Sequence, residues 1–459
     1  MRDVTTVLPT ALQNLKAAAR FRPVDMINWG RLVKPLRDHQ QNQAGFDLLG
    51  MLFHMFTRMP FDYTPGSAAD TKTPPWRIPP ANRIGREPSV GLFVDAPEHL
   101  SGVATTLNNW NRNAIARSLS FRVHSAGDQP VIDGAVNFSQ TGTFKLAAYE
   151  GLSLRMTDVA NVLHYVQESD IDVFHLSTPG PVGLIGLLAA RAKKRPVVST
   201  FHTHFPSYVG RLTGDPVLEE VAWGYMRWFY GQMDRVAAPS TAIREELIEH
   251  GIDAGKVVVV GRGVDGMKFN PAHRDESLRA SWGCDRQTRV LLYVGRLSRE
   301  KNLDCLVEAY IRLRQQHRDI RLVLTGEGPH EQELKTTLQD SSVIFTGIKR
   351  GEELARHYAS ADVFVFPSET DTLGNVVLEA QASGLPVVVS SVGGPRDCVL
   401  DGISGIVLPQ MNSESLAVTL DDMINRKAAM TAMKSAARRH SRRFTHEGAF
   451  DAFWNMHHL

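Results

Sequence analysis

The sequence predicts an α/β protein with two parallel-sheet domains in tandem. Short apolar segments rich in Val, Ile and Leu alternate with segments of helical periodicity, first over residues 89–275 and again over residues 286–459. Apolar strands separated by helices are typical of a parallel sheet that helices cover on both faces. At 459 residues, the chain also exceeds the usual size of a single hydrophobic core. We therefore expect two Rossmann-like domains in tandem.

The first 88 residues differ in composition from the two predicted domains. Residues 1–60 combine helical periodicity with more Lys and Arg than Asp and Glu, which predicts a mostly helical, basic extension. Residues 61–88 contain the string TPGSAADTKTPPWRIPP, which predicts a linker. The apolar string FDLLGMLFHMF is too short to span a bilayer. It is either an interfacial helix or a surface packed against the main body.

The overall composition excludes several classes of protein. A net charge of +2 is too small to indicate a nucleic-acid-binding protein. The cysteines Cys284, Cys305 and Cys398 are widely spaced and form no CxxC pair, which argues against a disulfide framework and a structural zinc site. Neither a long apolar run nor a signal-peptide pattern is visible. We expect a cytoplasmic protein, with contact to the inner face of the cytoplasmic membrane left open.

Candidate binding residues of the second half follow predicted strands, where ligands bind in open parallel sheets. In YVGRLSREKNLD, Arg296 comes directly after a strand and Lys301 lies near the start of a helix. Two cations beside a helix N-terminus favour an anion. In ETDTLGNVVLEA, Asp371 lies in a loop, Gly374 at the turn into a helix and Glu379 on that helix. These positions suit a phosphorylated sugar ligand, since carboxylates accept hydrogen bonds from hydroxyl groups.

Candidate binding residues of the first half also lie after predicted strands. DAPEHLSGVATTL reads as strand, loop and helix, with Gly102 at the turn. TFHTHFPSYV places His202 and His204 just past the end of a strand. Taken alone, two histidines at this spacing are typical of a surface loop or of half a metal site.

The string PSETDTLGNVVLEAQASGLPVV resembles the signature of the retaining family 4 glycosyltransferases, in which two acids bracket seven residues of the nucleotide-sugar site. VGRLSREKNLD, GEGP, FTG, HYASADVFVFPS and SVGGPRD match the same family in the same order, from about residue 89 to the C-terminus. The resemblance implies the GT-B fold, in which two Rossmann-like domains face each other across a cleft. It implies a UDP-sugar donor and no metal or other cofactor. It also implies that the last helix returns to the first domain. One departure concerns the first acid, usually Glu in the family and Asp371 here.

The resemblance assigns roles to the charged and polar residues at matching positions. Arg296 and Lys301 would hold the donor's diphosphate and stabilise the charge of the leaving nucleotide. Glu379 would bind the ribose, and Asp371 would bind the donor sugar. His202 would hydrogen-bond the donor sugar near its reacting carbon.

Further roles implied by the resemblance involve mainly backbone groups and the edge of the site. The backbone of Leu373 and Gly374 would approach phosphate, and Gly102 would belong to a glycine-rich loop that faces the diphosphate. The segment around Ile348 would contact the base. His204 is expected to contact the acceptor.

The acceptor is indicated by two strings of the first half. TFHTHFPSYVGRLTGD and WGYMRWFYGQMDRVAAPS resemble the branch of sulfoquinovosyl- and glucosyl-diacylglycerol synthases, which implies a lipid acceptor at a membrane surface. The basic strings AARAKKRP and RRHSRRF are compatible with anionic lipid, whereas the aromatic residues of WGYMRWFYG suit either a core or a membrane interface. A polysaccharide or soluble acceptor, and a non-catalytic nucleotide-sugar-binding protein, remain alternatives, and the oligomeric state is open.

Overall fold

The computed structural model describes residues 86–95, 102–127, 132–145, 153–338 and 342–459. The predicted helical extension, residues 1–60, and nearly all of the predicted linker lie outside the described residues. No helix in the described ranges is both long enough and apolar enough to cross a membrane.

The first domain is built on a seven-stranded parallel sheet with an additional antiparallel strand pair. The strands are β1 (Val90–Phe93), β2 (Phe121–Ala126), β3 (Val136–Phe138), β4 (Gln140–Lys145), β5 (Ser153–Thr157), β6 (Val173–Leu176), β7 (Val197–Thr200), β8 (Arg235–Ala238) and β9 (Val257–Val259). The sheet has the order β3-β2-β1-β6-β7-β8-β9, and β4 pairs with β5. All residues of β1, β6 and β7 are buried, because helices cover both faces of the sheet.

The second domain contains a six-stranded parallel sheet. Its strands are β10 (Arg289–Val294), β11 (Ile320–Thr325), β12 (Val343–Gly347), β13 (Val363–Phe366), β14 (Val387–Ser390) and β15 (Gly405–Leu408). The order is β12-β11-β10-β13-β14-β15. Leu291 of β10 lies opposite Leu322 of β11 and Val363 of β13, and all three side chains are buried in one core.

Helices connect the strands of both sheets. In the first domain they are α1 (Gly102–Ala116), α2 (Val159–Glu168), α3 (Pro181–Ala192), α4 (Phe205–Thr213), α5 (Pro216–Gly231) and α6 (Thr241–Glu249). In the second half they are α7 (Glu276–Ser281), α8 (Leu303–Gln316), α9 (Glu331–Thr337), α10 (Gly351–Ser360), α11 (Asn375–Ala382), α12 (Ser413–Asn425), α13 (Lys427–Ser441) and α14 (His446–Asn455). Short 3-10 helices cover Pro271–His273, Arg299–Lys301 and Gly394–Cys398.

Each sheet has one point at which its strand order reverses. In the first sheet the chain moves outward from β1 to β3 and returns to β6, on the other side of β1. In the second sheet the same reversal lies between β10 and β13. Loops that leave neighbouring strands at such a point diverge and open a crevice beyond the carboxyl ends of the strands. The fold therefore predicts one half-site between β1 and β6 and the other between β10 and β13.

The last helix, α14, returns to the first domain, which confirms the expectation from the sequence. Phe450, Phe453 and Trp454 lie in the same buried cluster as Val90 of β1. The ring of Phe453 stacks on that of Trp110 with centroids 3.7 Å apart. The C-terminal segment thus fastens the second half of the chain to the first domain.

Four of the five aromatic residues of α5 belong to the core, and Trp228 packs against it partly buried. Trp223, Tyr225, Phe229 and Tyr230 are each at most 8% exposed and share one hydrophobic cluster with α3 and α6. The side chains therefore stabilise the first domain, and the core interpretation of this helix is confirmed.

Two of the basic residues that suggested lipid binding are hydrogen-bonded within the protein. Lys193 Nζ donates to the carbonyl oxygen of Val166 at 2.7 Å, near the end of α2. Arg438 on α13 donates to the carbonyl oxygens of Gly266 and Phe269 at 2.9 and 3.0 Å. Arg438 thereby ties α13 to the segment that connects the two sheets.

Candidate active site

An ion pair between Lys301 and Asp371 forms the centre of the candidate site. Lys301 ends the 3-10 helix that follows β10, and Asp371 lies in the loop between β13 and α11. Lys301 Nζ and Asp371 Oδ2 are 2.7 Å apart, and the two side chains are 12% and 23% exposed. Burial alone would lower the pKa of Lys301, but the Asp371 carboxylate and the neighbouring Tyr208 and Tyr293 raise it above its usual range. Lys301 therefore stays charged.

Arg296 lies in the loop that connects β10 to Lys301. Its carbonyl oxygen accepts a hydrogen bond from the Tyr293 hydroxyl at 2.9 Å, and its side chain is partly buried. The GEGP loop packs against the same segment so closely that a Cβ at Gly326 would overlap the carbonyl oxygen of Gly295. Gly326 has a φ of 136°, a conformation that glycine adopts most readily. This packing fixes the backbone from which Arg296 and Lys301 extend.

The second acid, Glu379, is held by a buried tyrosine. Tyr358 on α10 donates its hydroxyl to Glu379 Oε2 at 2.9 Å. Burial raises the pKa of Glu379 to about 7, against the lowering effects of the Tyr358 hydrogen bond and the charge of Lys268. The carboxyl group thus titrates near neutral pH, and its ability to accept two or more hydrogen bonds depends on pH.

The turn between the acids requires glycine. Gly374 has a φ of 81° and immediately precedes the first residue of α11. The preceding Leu373 is 5% exposed and its side chain lies in the core. Because this side chain is buried, a contact of Leu373 with a ligand would involve its backbone, and that contact stays a prediction.

The loop after β14 packs against the loop that carries Asp371. Gly394 donates its backbone N–H to the carbonyl oxygen of Asp371 at 2.9 Å. A Cβ at Gly394 would overlap the carbonyl oxygen of Thr372, and Gly393 has a φ of 83°. The two glycines therefore allow the SVGGPRD segment to approach the backbone that carries the first acid.

Replacement of Gly394 by Ala is expected to displace this loop. We expect the free energy of unfolding to fall by about 1–3 kcal/mol, because a methyl group must enter a filled space, and the donor KM to rise. Thermal unfolding and donor-dependent kinetics measure the two effects. Gly231→Ala is the control, because a Cβ at Gly231 meets no atom within 4 Å. Equal donor KM values for Gly394→Ala and the wild type would contradict the supporting role of the loop.

In the first domain, both ring nitrogens of His202 have protein partners. Arg262 Nη2 lies 3.2 Å from His202 Nδ1, and Ser177 Oγ lies 2.9 Å from His202 Nε2. A guanidinium group only donates, so Nδ1 accepts and the proton is on Nε2, which donates to Ser177. Burial and the charge of Arg262 hold the pKa of His202 well below its usual range. The imidazole is neutral, and a hydrogen bond from it to a sugar requires the exchange of one partner.

His204 makes its contacts within the first domain. Its Nδ1 accepts the backbone N–H of Ser207 at 3.2 Å and thereby caps α4, while Nε2 lies 2.5 Å from Glu246 Oε1 on α6. The ring is buried against Phe201 and Trp223. These contacts join α4 to α6, and a contact of His204 with the acceptor stays a prediction. Ile348, which follows β12, is 46% exposed, and its contact with the base also stays a prediction.

The two domains touch at the first acid's loop. Thr372 Oγ1 donates to the carbonyl oxygen of His202 at 3.1 Å, and Ser240 Oγ donates to the carbonyl oxygen of Thr372 at 2.9 Å. The backbone N–H of Ala242 donates to Asp397 Oδ2 at 2.9 Å. The candidate residues of both domains therefore belong to one connected group.

The structure adds Arg262 to the residues that the sequence singled out. Besides its contact with His202, its Nη1 donates to the carbonyl oxygen of Gly102 at 3.3 Å. Burial lowers the pKa of Arg262 to about 10, while the charge of Asp371 acts in the opposite direction. A signal was present in VVVVGRGVD, where a cation follows a strand as Arg296 does. No local signal indicated Tyr358.

Among the described residues, no three His, Cys, Asp or Glu side chains are grouped so that they could hold a metal ion. The expectation of a metal-independent site stays a prediction.

Two family models match the chain over the parts that carry these residues. Residues 288–426 match the model described as glycosyl transferases group 1. Residues 100–266 match the model of glycosyltransferase family 4. The two matches together include the Lys301–Asp371 pair, Glu379, His202 and Arg262.

Three curated relatives are named for different sugars. A GDP-mannose-dependent α-mannosyltransferase of Mycobacterium tuberculosis is 38% identical over 54% of this chain and 63% of its own length. A sulfoquinovosyl transferase of Arabidopsis thaliana is 30% identical over 66% of this chain and 59% of its own. An α-monoglucosyldiacylglycerol synthase of Streptococcus pneumoniae is 28% identical over 65% and 70%. The chain thus spans about three fifths of the length of the first two.

Solved structures show the same architecture. The Anabaena HepE protein, crystallised with UDP and glucose, superposes with a TM-score of 0.64 at 19% identity and covers 80% of this chain and 99% of its own. A sucrose-phosphate synthase from Thermosynechococcus elongatus also has a TM-score of 0.64, at 18% identity over 81% of this chain. With two facing parallel-sheet domains and matches to both family models, the chain belongs to the family 4 (group 1) glycosyltransferases and has the GT-B fold.

Proposed function

We propose that the protein is a retaining, metal-independent glycosyltransferase that moves a hexose-type sugar from a UDP-sugar to a lipid acceptor such as diacylglycerol. The observation that carries this proposal is the arrangement at the strand ends of the second sheet. There Lys301 and Arg296 supply positive charge, Asp371 lies 2.7 Å from Lys301, and Glu379 follows on α11. Cations suit a diphosphate and carboxylates suit sugar hydroxyls, so the set fits a nucleotide sugar.

In the proposed reaction, the protein positions the reactants and stabilises the leaving group. The acceptor hydroxyl oxygen forms a bond to the anomeric carbon on the face from which the diphosphate departs, and the bond from that carbon to the diphosphate oxygen breaks. The departing diphosphate takes the proton of the hydroxyl. Lys301 and Arg296 stabilise the negative charge that develops on the diphosphate, and Asp371 orients the sugar ring.

Donor binding on this proposal exchanges the partners of one ion pair. Lys301 Nζ and Asp371 Oδ2 are 2.7 Å apart. A diphosphate that approaches Lys301 shares its positive charge, and the Asp371 carboxylate becomes available to accept bonds from sugar hydroxyls. This exchange couples the recognition of the sugar to the recognition of the diphosphate.

A GDP-mannose donor is the second candidate. It is favoured by the M. tuberculosis mannosyltransferase, which is 38% identical to this chain. The glycerolipid acceptor is favoured by the S. pneumoniae diacylglycerol glucosyltransferase relative. The two observations concern different substrates, so donor and acceptor are tested separately.

A panel of UDP- and GDP-sugars, with and without diacylglycerol in mixed micelles, tests both substrates. We expect release of UDP that depends on diacylglycerol. Release of GDP from GDP-mannose would replace the donor in this proposal and keep the transferase. Release that is indifferent to diacylglycerol would favour a polysaccharide or soluble acceptor. Tight binding of a nucleotide sugar without release under any of these conditions would favour the non-catalytic alternative.

A lipid acceptor also predicts a cytoplasmic protein that binds the membrane surface. We expect the full chain to sediment with vesicles that contain anionic phospholipid at low salt and to be released at high salt, because surface attraction of basic residues is screened. Vesicles of zwitterionic lipid are the control. A protein that remains in the supernatant with anionic vesicles at low salt would contradict peripheral membrane binding.

A further inference from the structure

Arg262 lies where the chain leaves the first sheet, three residues after β9. Its guanidinium group donates to Gly102 O at 3.3 Å and contacts His202 Nδ1 at 3.2 Å. Both accepting atoms belong to uncharged groups, since the imidazole of His202 is neutral. Among the residues that the structure describes, none places a carboxylate oxygen within ion-pair distance of Arg262.

A guanidinium group in this position has unused binding capacity. It carries five N–H donors, and the two contacts named above use two of them. Arg262 is partly buried, and a charge removed from water costs free energy unless an opposite charge compensates it. The carboxylate of Asp371 compensates Arg262 only partly, because burial still lowers the pKa of Arg262 to about 10. The group remains charged at neutral pH and would gain from an anion placed beside it.

The surroundings of Arg262 show where such an anion would lie. Gly102 is the first residue of α1, so the free backbone N–H groups of that helix begin next to the guanidinium. On the opposite side of the cleft, the loop that carries Asp371 contacts His202 through Thr372. Asp371 in turn is 2.7 Å from Lys301. Arg262 therefore adjoins both walls of the proposed donor site.

We propose that Arg262 is a donor-binding residue: it contacts the diphosphate of the nucleotide sugar from the first domain, opposite Lys301 and Arg296 of the second. This inference rests on the proposed function, since it names one more residue of the same site. A planar guanidinium can form two parallel hydrogen bonds to phosphate oxygens. A diphosphate held between Arg262 and Lys301 links the two domains, so donor binding stabilises the closed cleft.

Arg262 could instead act only through His202, by holding its ring. The two roles predict different effects on the reaction step and on the affinity for a nucleoside diphosphate. A residue that only positions His202 affects the reaction step and leaves the affinity for a nucleoside diphosphate intact. A residue that contacts the diphosphate changes that affinity and leaves the affinity for a nucleoside without phosphate intact. Gln at this position retains an N–H donor for His202 and loses the charge.

The test compares the dissociation constants of UDP and GDP, by calorimetry, with those of uridine and guanosine, by ligand-observed NMR. For Arg262→Gln we expect the nucleoside diphosphate to bind about thirtyfold more weakly, as for the loss of one charged hydrogen-bond partner. The nucleoside should bind unchanged. Arg262→Lys keeps the charge and should retain part of the affinity. Arg244→Gln is the control, because Arg244 also donates to a carbonyl oxygen of the first domain, that of Val257 at 3.2 Å.

The outcomes separate this inference from the proposed function. If the wild-type protein binds neither UDP nor GDP, the proposed function is wrong and the inference falls with it. If the wild type binds one of them and Arg262→Gln binds it equally well, only the inference is wrong, and a lower kcat would then assign Arg262 to the support of His202. Thermal unfolding of each variant confirms that the compared proteins are folded.

Discussion

Replacement of Lys301 by Met is expected to lower kcat about a hundredfold, because one preorganised positive group aimed at a leaving group contributes on that scale. The variant should still bind the nucleoside, since the ribose and base contacts lie elsewhere. Nucleotide release under saturating donor and acceptor measures the effect. Met approximates the aliphatic part of the Lys side chain, so the loss of the charged group dominates the change.

The loss of Lys301 also leaves Asp371, whose side chain is 23% exposed, without its ion-pair partner, which by itself destabilises the site. The double variant Lys301→Met with Asp371→Asn removes this unpaired charge. We expect the double variant to be as inactive as the single one. Recovery of activity in the double variant would show that the unpaired acid, and not the missing cation, caused the defect. Lys335→Met is the control, since Lys335 is 45% exposed in an ion pair with Glu331 on α9.

Replacement of Glu379 by Gln is expected to raise the donor KM at least about tenfold, because a carboxylate that accepts two ribose hydroxyl hydrogen bonds is lost. The substitution should also remove a pH dependence. Burial raises the pKa of Glu379 to about 7, and the ionised form is the one that accepts these bonds. In the wild type, kcat/KM should therefore fall as the pH decreases through 7, and in the variant it should not.

The raised pKa of Glu379 also predicts a pH dependence of stability, opposite in direction to the pH dependence of kcat/KM. The carboxyl has a higher pKa in the folded protein than its ordinary value of 4.5, so the folded state binds the proton more tightly. Its contribution to stability is present below pH 4.5 and is lost as the pH rises through 7. Glu379→Gln should thus raise the Tm at pH 8 relative to the wild type. Glu353→Gln, at an exposed acid on α10, serves as the control for both measurements. A wild-type profile that is flat between pH 6 and 8 would contradict the role of Glu379.

Features encoded in local segments were predicted from the sequence. Apolar strands followed by turns and helices predicted the two parallel sheets, because the apolar residues of each strand indicate by themselves that the strand is buried. The positions of Arg296, Lys301 and Asp371 after strand ends, and of Glu379 on the following helix, followed from the same alternation. The first acid is Asp371, which is one methylene shorter than the Glu that is usual in the family. Asp371 still reaches Lys301 at 2.7 Å, so the missing methylene does not separate the acid from the cation.

Features that depend on distant segments could not be predicted in this way. Tyr358 and Glu379 meet only because α10 and α11 pack beside each other, and no spacing in the sequence encodes that contact. In the sequence, His204 lies just past the end of a strand, as His202 does. The fold nevertheless places His204 between α4 and α6, where it caps a helix. Arg262 carried the same local signal as Arg296, but its importance depends on Gly102 and His202, far away in the chain.

We propose that this cleft transfers a sugar with retention of anomeric configuration. NMR of the product formed from an α-linked nucleotide sugar and diacylglycerol tests this, with the coupling constant of the anomeric proton as the readout. We expect an α-linked glycolipid, and no such product with Lys301→Met under the same conditions. A β-linked product would contradict front-face transfer by these residues, because inversion requires attack on the face opposite the diphosphate.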